Sequence, residues 1–170
     1  MTSSLLPVAG VAALIGILCW GPAAAQTAAP ETGDATAQPA VATMLEEVGF
    51  FGTWAVRCGE PASPRNPVRT AYLSAAGEPG FSESIGADLP ENIYRVVAAA
   101  RDGDNQVALD VELNYQTRQR LTMVIDRDRI RTLANATPDG RMLVKNGAVV
   151  ATGGKTPWLK RCEKAPAAGE

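Results

Sequence analysis

The chain has no histidine among its 170 residues, which removes Ser-His-Asp and Cys-His catalysis together with the commonest metal ligand. Paired carboxylates are then the main route left to hydrolysis, and two pairs have usable spacing. Asp110 and Glu112 stand at i, i+2, on one face of any strand, and Asp126 and Asp128 flank a turn. A plainer reading serves the first pair: a neighbouring strand bearing Arg118 and Arg120 would meet it in cross-strand charge pairs. We therefore expect no catalytic residue, no enzyme activity, no cofactor and no metal. Gly153-Gly154-Lys155-Thr156 resembles the end of a phosphate-binding loop, but the earlier glycine is missing and Pro157 follows where a helix should start. The densest basic stretch holds Arg118, Arg120, Arg127, Arg129, Arg131, Arg141 and Lys145. Arg118, Arg120, Arg129 and Arg131 are the candidates for a surface that meets an anionic partner. Asp126, Asp128 and Asp139 are interleaved with them, which favours a solvated mixed-charge face over a dedicated anion site. Aromatic residues are scarce there, and nucleic acid is not an expected partner.

The cysteines bear on compartment. From Leu5 to Trp20 runs an apolar stretch without charge, followed by Gly21, Pro22 and Ala23-Ala24-Ala25, the layout of a secretory signal peptide over residues 1–25. Its Met1 to Ser4 lead-in lacks a basic side chain, and retention as an anchor is the alternative, although the run is short for a membrane span. Cleavage removes Cys19 and leaves Cys58 and Cys162, which should pair in an oxidising periplasmic or extracellular setting. No stable membrane span is expected after cleavage. With two cysteines and no histidine, a structural zinc site of Cys/His type cannot be assembled. Residues 26–49 are rich in Ala, Thr and Pro, carry Glu31, Asp34, Glu46 and Glu47 and no basic residue, and read as a disordered acidic leader with at most a helical turn near Met44 to Val48. Residues 50–164 form the folded body, and 165–170 a frayed tail.

Within the body the apolar pattern has period two, which predicts an all-β fold: a small antiparallel barrel or closed sandwich of about eight strands. Val107, Leu109, Val111, Leu113 and Tyr115 form one apolar row, and Tyr94, Val96, Ala98 and Ala100 another, with Asp102-Gly103-Asp104-Asn105 as the turn between them. Leu121, Met123 and Ile125 face Ile130 and Thr132 if the chain reverses at Arg127-Asp128. Asn146-Gly147 is a two-residue hairpin signal, because both centres of a type I′ turn need positive φ. Pro61, Pro64 and Pro67 stiffen a loop after the first strand that could rim a barrel mouth.

The body opens with Trp54-Ala55-Val56-Arg57-Cys58 and ends with Trp158-Leu159-Lys160-Arg161-Cys162. Both read W-x-x-R-C, and regular alternation would put each Trp and Cys on one face. A disulfide between the two would join the ends of the domain and close the sheet, leaving no edge strand there.

Gly52-Thr53-Trp54 resembles the G-x-W opening of calycins, the lipocalin-like barrels that bind small apolar ligands. Phe51 to Cys58 is similar to the F-x-x-W-x-x-R-C opening of the invasion-associated locus B family of secreted proteobacterial proteins, whose members typically carry further cysteines. Either resemblance implies an exported, non-catalytic β domain, and neither transfers a binding residue. The expected function is that of an exported binding or accessory protein of the bacterial cell envelope, holding a small apolar ligand among Trp54, Tyr94 and Trp158. The alternative is a surface protein-interaction module, lysozyme-inhibitor-like or an envelope-associated virulence factor. An open cavity in the barrel would favour the first, and an interior filled by Leu, Val and Met the second.

Overall fold

The computed structural model describes residues 37–163. The expected signal segment, residues 26–36 of the expected leader and the tail lie outside the described residues. A helix, α1 (Ala37–Glu47), is followed by ten strands: β1 (Gly52–Ala55), β2 (Val68–Leu73), β3 (Pro79–Ser84), β4 (Asn92–Arg101), β5 (Gln106–Leu113), β6 (Thr117–Asp126), β7 (Arg129–Ala136), β8 (Met142–Lys145), β9 (Ala148–Val149) and β10 (Leu159–Cys162). Strands β1 to β7 form a meander, and β10 pairs antiparallel with both β1 and β7. Eight strands thus close a barrel, with the β8–β9 hairpin continuing from β7 outside the ring.

The expected pairings are present. Val107, Leu109 and Val111 of β5 point inward and are buried, while Asp110 lies opposite Arg120 and Glu112 opposite Arg118. Ile125 faces Ile130 and Met123 faces Thr132, with Arg127 at φ 57° in the reversal. Asn146 and Gly147 have φ of 52° and 70°, as the β8–β9 turn requires. One expected row is interrupted. A bulge between Val96 and Ala98 shifts the register of β4, so Ala99 packs on the core while Ala98 and Ala100 face solvent. Tyr115 falls beyond β5, in a turn at φ 58°, and is exposed.

The leader was expected to offer one helical turn, yet α1 spans 11 residues. Glycine sets its end. Gly49 at φ 70° lets the Gly49 amide donate to the Glu46 carbonyl at 2.8 Å and the Phe50 amide to the Leu45 carbonyl at 2.9 Å, the double bond of a Schellman stop. The apolar contact that accompanies this motif is here part of the core, because Leu45 and Phe50 are both fully buried. The helix α1 therefore belongs to the folded unit. The helix packs on β3 and β4, with Glu47 bonded to Arg101 at 3.0 Å, and covers the end of the barrel where β1 begins and β4 finishes.

The repeated W-x-x-R-C segments do not match in structure. Trp54 is paired with inward-facing Arg69 and is fully buried. β1 stops at Ala55, so alternation ends before Cys58, which is exposed beyond the strand. Trp158 precedes β10 and sits on the outer wall, its ring 4.6 Å from the Arg129 guanidinium carbon and 5.9 Å from that of Arg131. Cys162 shares the outer face with Ala55 and Val68 in a small apolar cluster capped by Ala62. The Cys58–Cys162 disulfide is formed. It fastens the loop after β1 to the end of β10 outside the barrel; Trp158 and Cys162 share the outer face as expected, whereas Trp54 points inward and Cys58 lies beyond its strand. The echo has a different use: Arg161 lies directly opposite Trp54 and stacks on its ring at 4.1 Å, while its guanidinium donates to the carbonyls of Phe51 and Gly49. Burial pushes the Arg161 pKa down from its ordinary value.

The loop between β1 and β2 is organised by Asn66, which is fully buried. Its Oδ1 accepts from the Arg57 amide at 2.8 Å, and its Nδ2 donates to the carbonyls of Arg57, Glu60 and Pro61 at 3.1 to 3.2 Å. Asn66→Ala is expected to lower stability by about 2 kcal/mol, since it leaves several backbone groups without partners. Asn66→Asp should cost a similar amount, because a carboxylate keeps the acceptor and loses the donor. Urea unfolding of both variants checks this, and an unchanged midpoint would mean that the loop is held by other contacts.

Candidate functional site

With one end of the barrel covered by α1, the interior is filled by Trp54, Phe81, Val96, Leu109, Met123 and Ile130, all fully buried. The centre of the barrel is packed with these side chains. The other end is open, and a recess of about 430 Å³ lies there. Its rim is built from Pro64 and Pro67 of the β1–β2 loop, Val144 and Val149 of the β8–β9 hairpin, and the following segment Thr152 to Pro157. Ile85, Tyr94 and Leu121 complete an apolar wall. Pro64 and Pro67 thus occupy the rim expected of them, while Pro61 does not line the recess. Gly154, Lys155 and Thr156, which fail as a phosphate loop, contribute through their position.

The floor of the recess is polar. Trp54, Arg69 and Glu83 lie side by side across β1, β2 and β3, and the inward alternation of each strand aims Arg69 and Glu83 into the barrel. Arg69 is 5% exposed. Its Nη2 donates to Glu83 Oε2 at 3.2 Å and to Thr132 Oγ1 at 3.1 Å, and its guanidinium lies 5.3 Å from the centre of the Phe81 ring. Phe81 stacks on Tyr94 at 4.3 Å. Tyr94 is held neutral: burial, then the Glu83 carboxylate, pushes its pKa up to about 12, with Arg69 acting in the opposite sense. One layer outward, Asn135 Nδ2 donates to Gln119 Oε1 at 3.0 Å, and both side chains project inward from β7 and β6. Asn135 Oδ1 is buried without a hydrogen-bond partner.

Of the residues expected to touch a ligand, the structure brings only Tyr94 to the recess. Trp54 is sealed below the floor, its indole N–H donating to the Phe50 carbonyl at 3.0 Å, and Trp158 is on the outer wall. The arginines expected to meet an anionic partner are engaged elsewhere. Arg118 pairs with Glu112, Arg120 with Asp110 and Arg129 with Asp126, while Arg131 donates to Thr156 Oγ1 at 3.0 Å and to the Gly147 carbonyl at 2.7 Å. Hydrogen bonding from Arg95, with further help from Arg118, holds the Glu112 pKa below its ordinary value. Asp110 and Glu112 are therefore partners in the cross-strand charge pairs that the sequence suggested, Asp126 pairs with Arg129, and Asp128 contributes its backbone carbonyl to the Arg161 amide.

A second concavity, about 490 Å³, lies on the outer wall between β4, β5, β6 and the turn after β7. It is walled by the Asp110–Arg120 pair, Ala98, Ala136 and Pro138. Unlike the mouth, it holds no buried charge. Among the described residues no group of three or more His, Cys, Asp or Glu could hold a metal ion, and no helix is long and apolar enough to cross a membrane. The chain matches no protein-family model, no curated protein and no solved structure.

Proposed function

We propose that this protein is an exported, non-catalytic binding protein of the bacterial cell envelope that holds a small molecule in the mouth of its barrel. The observation that supports this most is the recess of about 430 Å³, a size usual for small-molecule sites, with a mostly apolar wall over a few convergent polar groups. Export is supported by the apolar leader with its small-residue cleavage signal and by the disulfide, which belongs to oxidising compartments. The resemblances to calycins and to the invasion-associated locus B family point the same way. Non-catalytic use is favoured because Asp110, Glu112 and Asp126 are each bound to arginine, and a paired carboxylate is a poor general acid or base.

The packed barrel centre modifies the reading: the ligand sits at the rim and does not thread the interior. A surface protein-interaction module is the second reading, favoured by the filled barrel interior and by the outer groove of about 490 Å³. Native mass spectrometry of the protein purified from its own envelope separates them. The expected result is a mass excess of a few hundred daltons, a range set by a recess of this size, lost on denaturation. A co-purifying protein at fixed stoichiometry, without that excess, would favour the second reading.

A further inference from the structure

The recess is built around an incompletely paired cation. A guanidinium presents five N–H donors in a fixed fork, and a carboxylate that matches it takes two of them side by side. Glu83 takes one, from Nη2 at 3.2 Å. Nη1 of Arg69 reaches the Met123 sulfur at 3.3 Å, a weak acceptor, and Nε is buried with no hydrogen-bond partner. Buried polar groups are almost always satisfied, and a buried charge left in this condition is costly.

The surroundings supply a second, independent observation. Beside Arg69 lies a lobe of about 60 Å³ lined by Arg131, Thr132 and Thr156, enough for the head of a small oxyanion and little more. Lys155 lies on the wall of the main recess. Across recess and lobe, two cations (Arg69 and Lys155) face one carboxylate, Glu83, while Arg131 lines the lobe with its guanidinium held by Thr156 and the Gly147 carbonyl. Depth is limited, because Phe81 lies directly against Arg69 and, with Met123, is fully buried. An extended chain has nowhere to go.

We infer that the ligand is a compact organic acid: one carboxylate seated at the free edge of Arg69 and the adjoining lobe, and a short branched or aromatic body against Ile85, Leu121, Val144 and Val149. This rests on the reading of the recess as the binding site. Glu83 is then the internal competitor for Arg69, an occupant that the ligand head must outdo.

Isothermal titration with 4-isopropylbenzoate, the neutral isostere 4-isopropylbenzamide, 4-isopropyltoluene and laurate tests the proposal on the disulfide-intact protein. The acid should bind about tenfold more tightly than the amide, a preference that shrinks as salt is raised. Glu83→Gln should strengthen acid binding about fivefold and leave the amide unchanged, since it removes a like charge from the seat. Arg69→Met should abolish the preference. Should that variant not fold, Lys155→Met, at an exposed position, should reduce the preference with the fold intact. Equal affinity for acid and amide, or weaker acid binding by Glu83→Gln, overturns the inference while binding of the amide keeps the recess as a site. Laurate binding far more tightly than 4-isopropylbenzoate overturns the compact body. If none of the four probes binds, the recess reading falls as well.

Discussion

Trp54→Ala is expected to lower the unfolding free energy by about 4 kcal/mol, the usual cost of truncating a fully buried indole. Three losses combine. A large cavity opens between α1 and the barrel, the Phe50 carbonyl loses the indole N–H that bonds it at 3.0 Å, and Arg161 loses the ring it covers at 4.1 Å. Against a total stability of about 5 to 15 kcal/mol for a domain, that leaves a marginal fold. The urea midpoint should drop by about 2 M, given the denaturant slopes of small proteins. Trp54→Phe retains most of the volume and should recover more than half of the loss. Because the side chain is sealed beneath the recess, Trp54→Phe should also leave binding of the probe acid unaltered. A Trp54→Ala midpoint close to that of the wild type would mean that the covered end of the barrel is loosely packed, and changed ligand affinity in Trp54→Phe would return the indole to the binding site.

The second large effect concerns the Cys58–Cys162 bond, which spans 104 residues. Cross-links of that reach restrict the unfolded chain by up to about 4.7 kcal/mol in the chain-entropy model, and natural bridges in small secreted domains cost about 2 to 5 kcal/mol to remove. The double variant Cys58→Ser, Cys162→Ser is expected to lose about 3 kcal/mol, or about 10 °C of melting temperature in a domain of this size. The native recess should survive, because the rim loop is pinned independently by Asn66 and the bond lies on the outer wall. Thermal unfolding with and without reductant measures the first part, and titration of the folded double variant at low temperature measures the second. An unchanged melting temperature would place the strength of the seam in the pairing of β10 alone.

The extent to which these features could be read from the sequence follows from how sharply each strand alternates. β5 has apolar residues at every second position and acids or alanine between, so its faces, its turn and its charged partners on β6 were all legible. β4 was legible in pairing but not in phase, since Ala98, Ala99 and Ala100 give no sign of which one a bulge will turn inward. β2 was misleading. Val68, Thr70 and Tyr72 make the better apolar row, yet Arg69 and Ala71 face the interior, because the β1–β2 loop and Cys162 cover Val68 from outside. The floor of the candidate site could not be found for that reason: its charge sits where alternation says a surface should be. Trp54 and Trp158 looked equivalent in sequence and are on opposite sides of the wall, because Trp54 takes an inward position within β1 and Trp158 an outward one just ahead of β10; β1, ending at Ala55, is too short to carry its face on to Cys58. The helix escaped notice through composition. Its alanines and acids suit a disordered leader, and only tertiary contacts, among them the burial of Leu45 in the core and the Glu47–Arg101 pair, show that it is anchored.

Closure of the ring by β10 also bears on biogenesis. Until Leu159–Cys162 arrives, β1 and β7 each present an unpaired row of backbone donors and acceptors, the arrangement that invites pairing between chains. A polypeptide threaded end-first through a translocation pore would expose both rows for the whole passage, and would hide them in one late event that joins segments distant along the chain, which is intrinsically slow. For the export proposed above, the vulnerable interval would be transit across the membrane, and a holding factor on the far side would matter most in the moments before the final strand emerges.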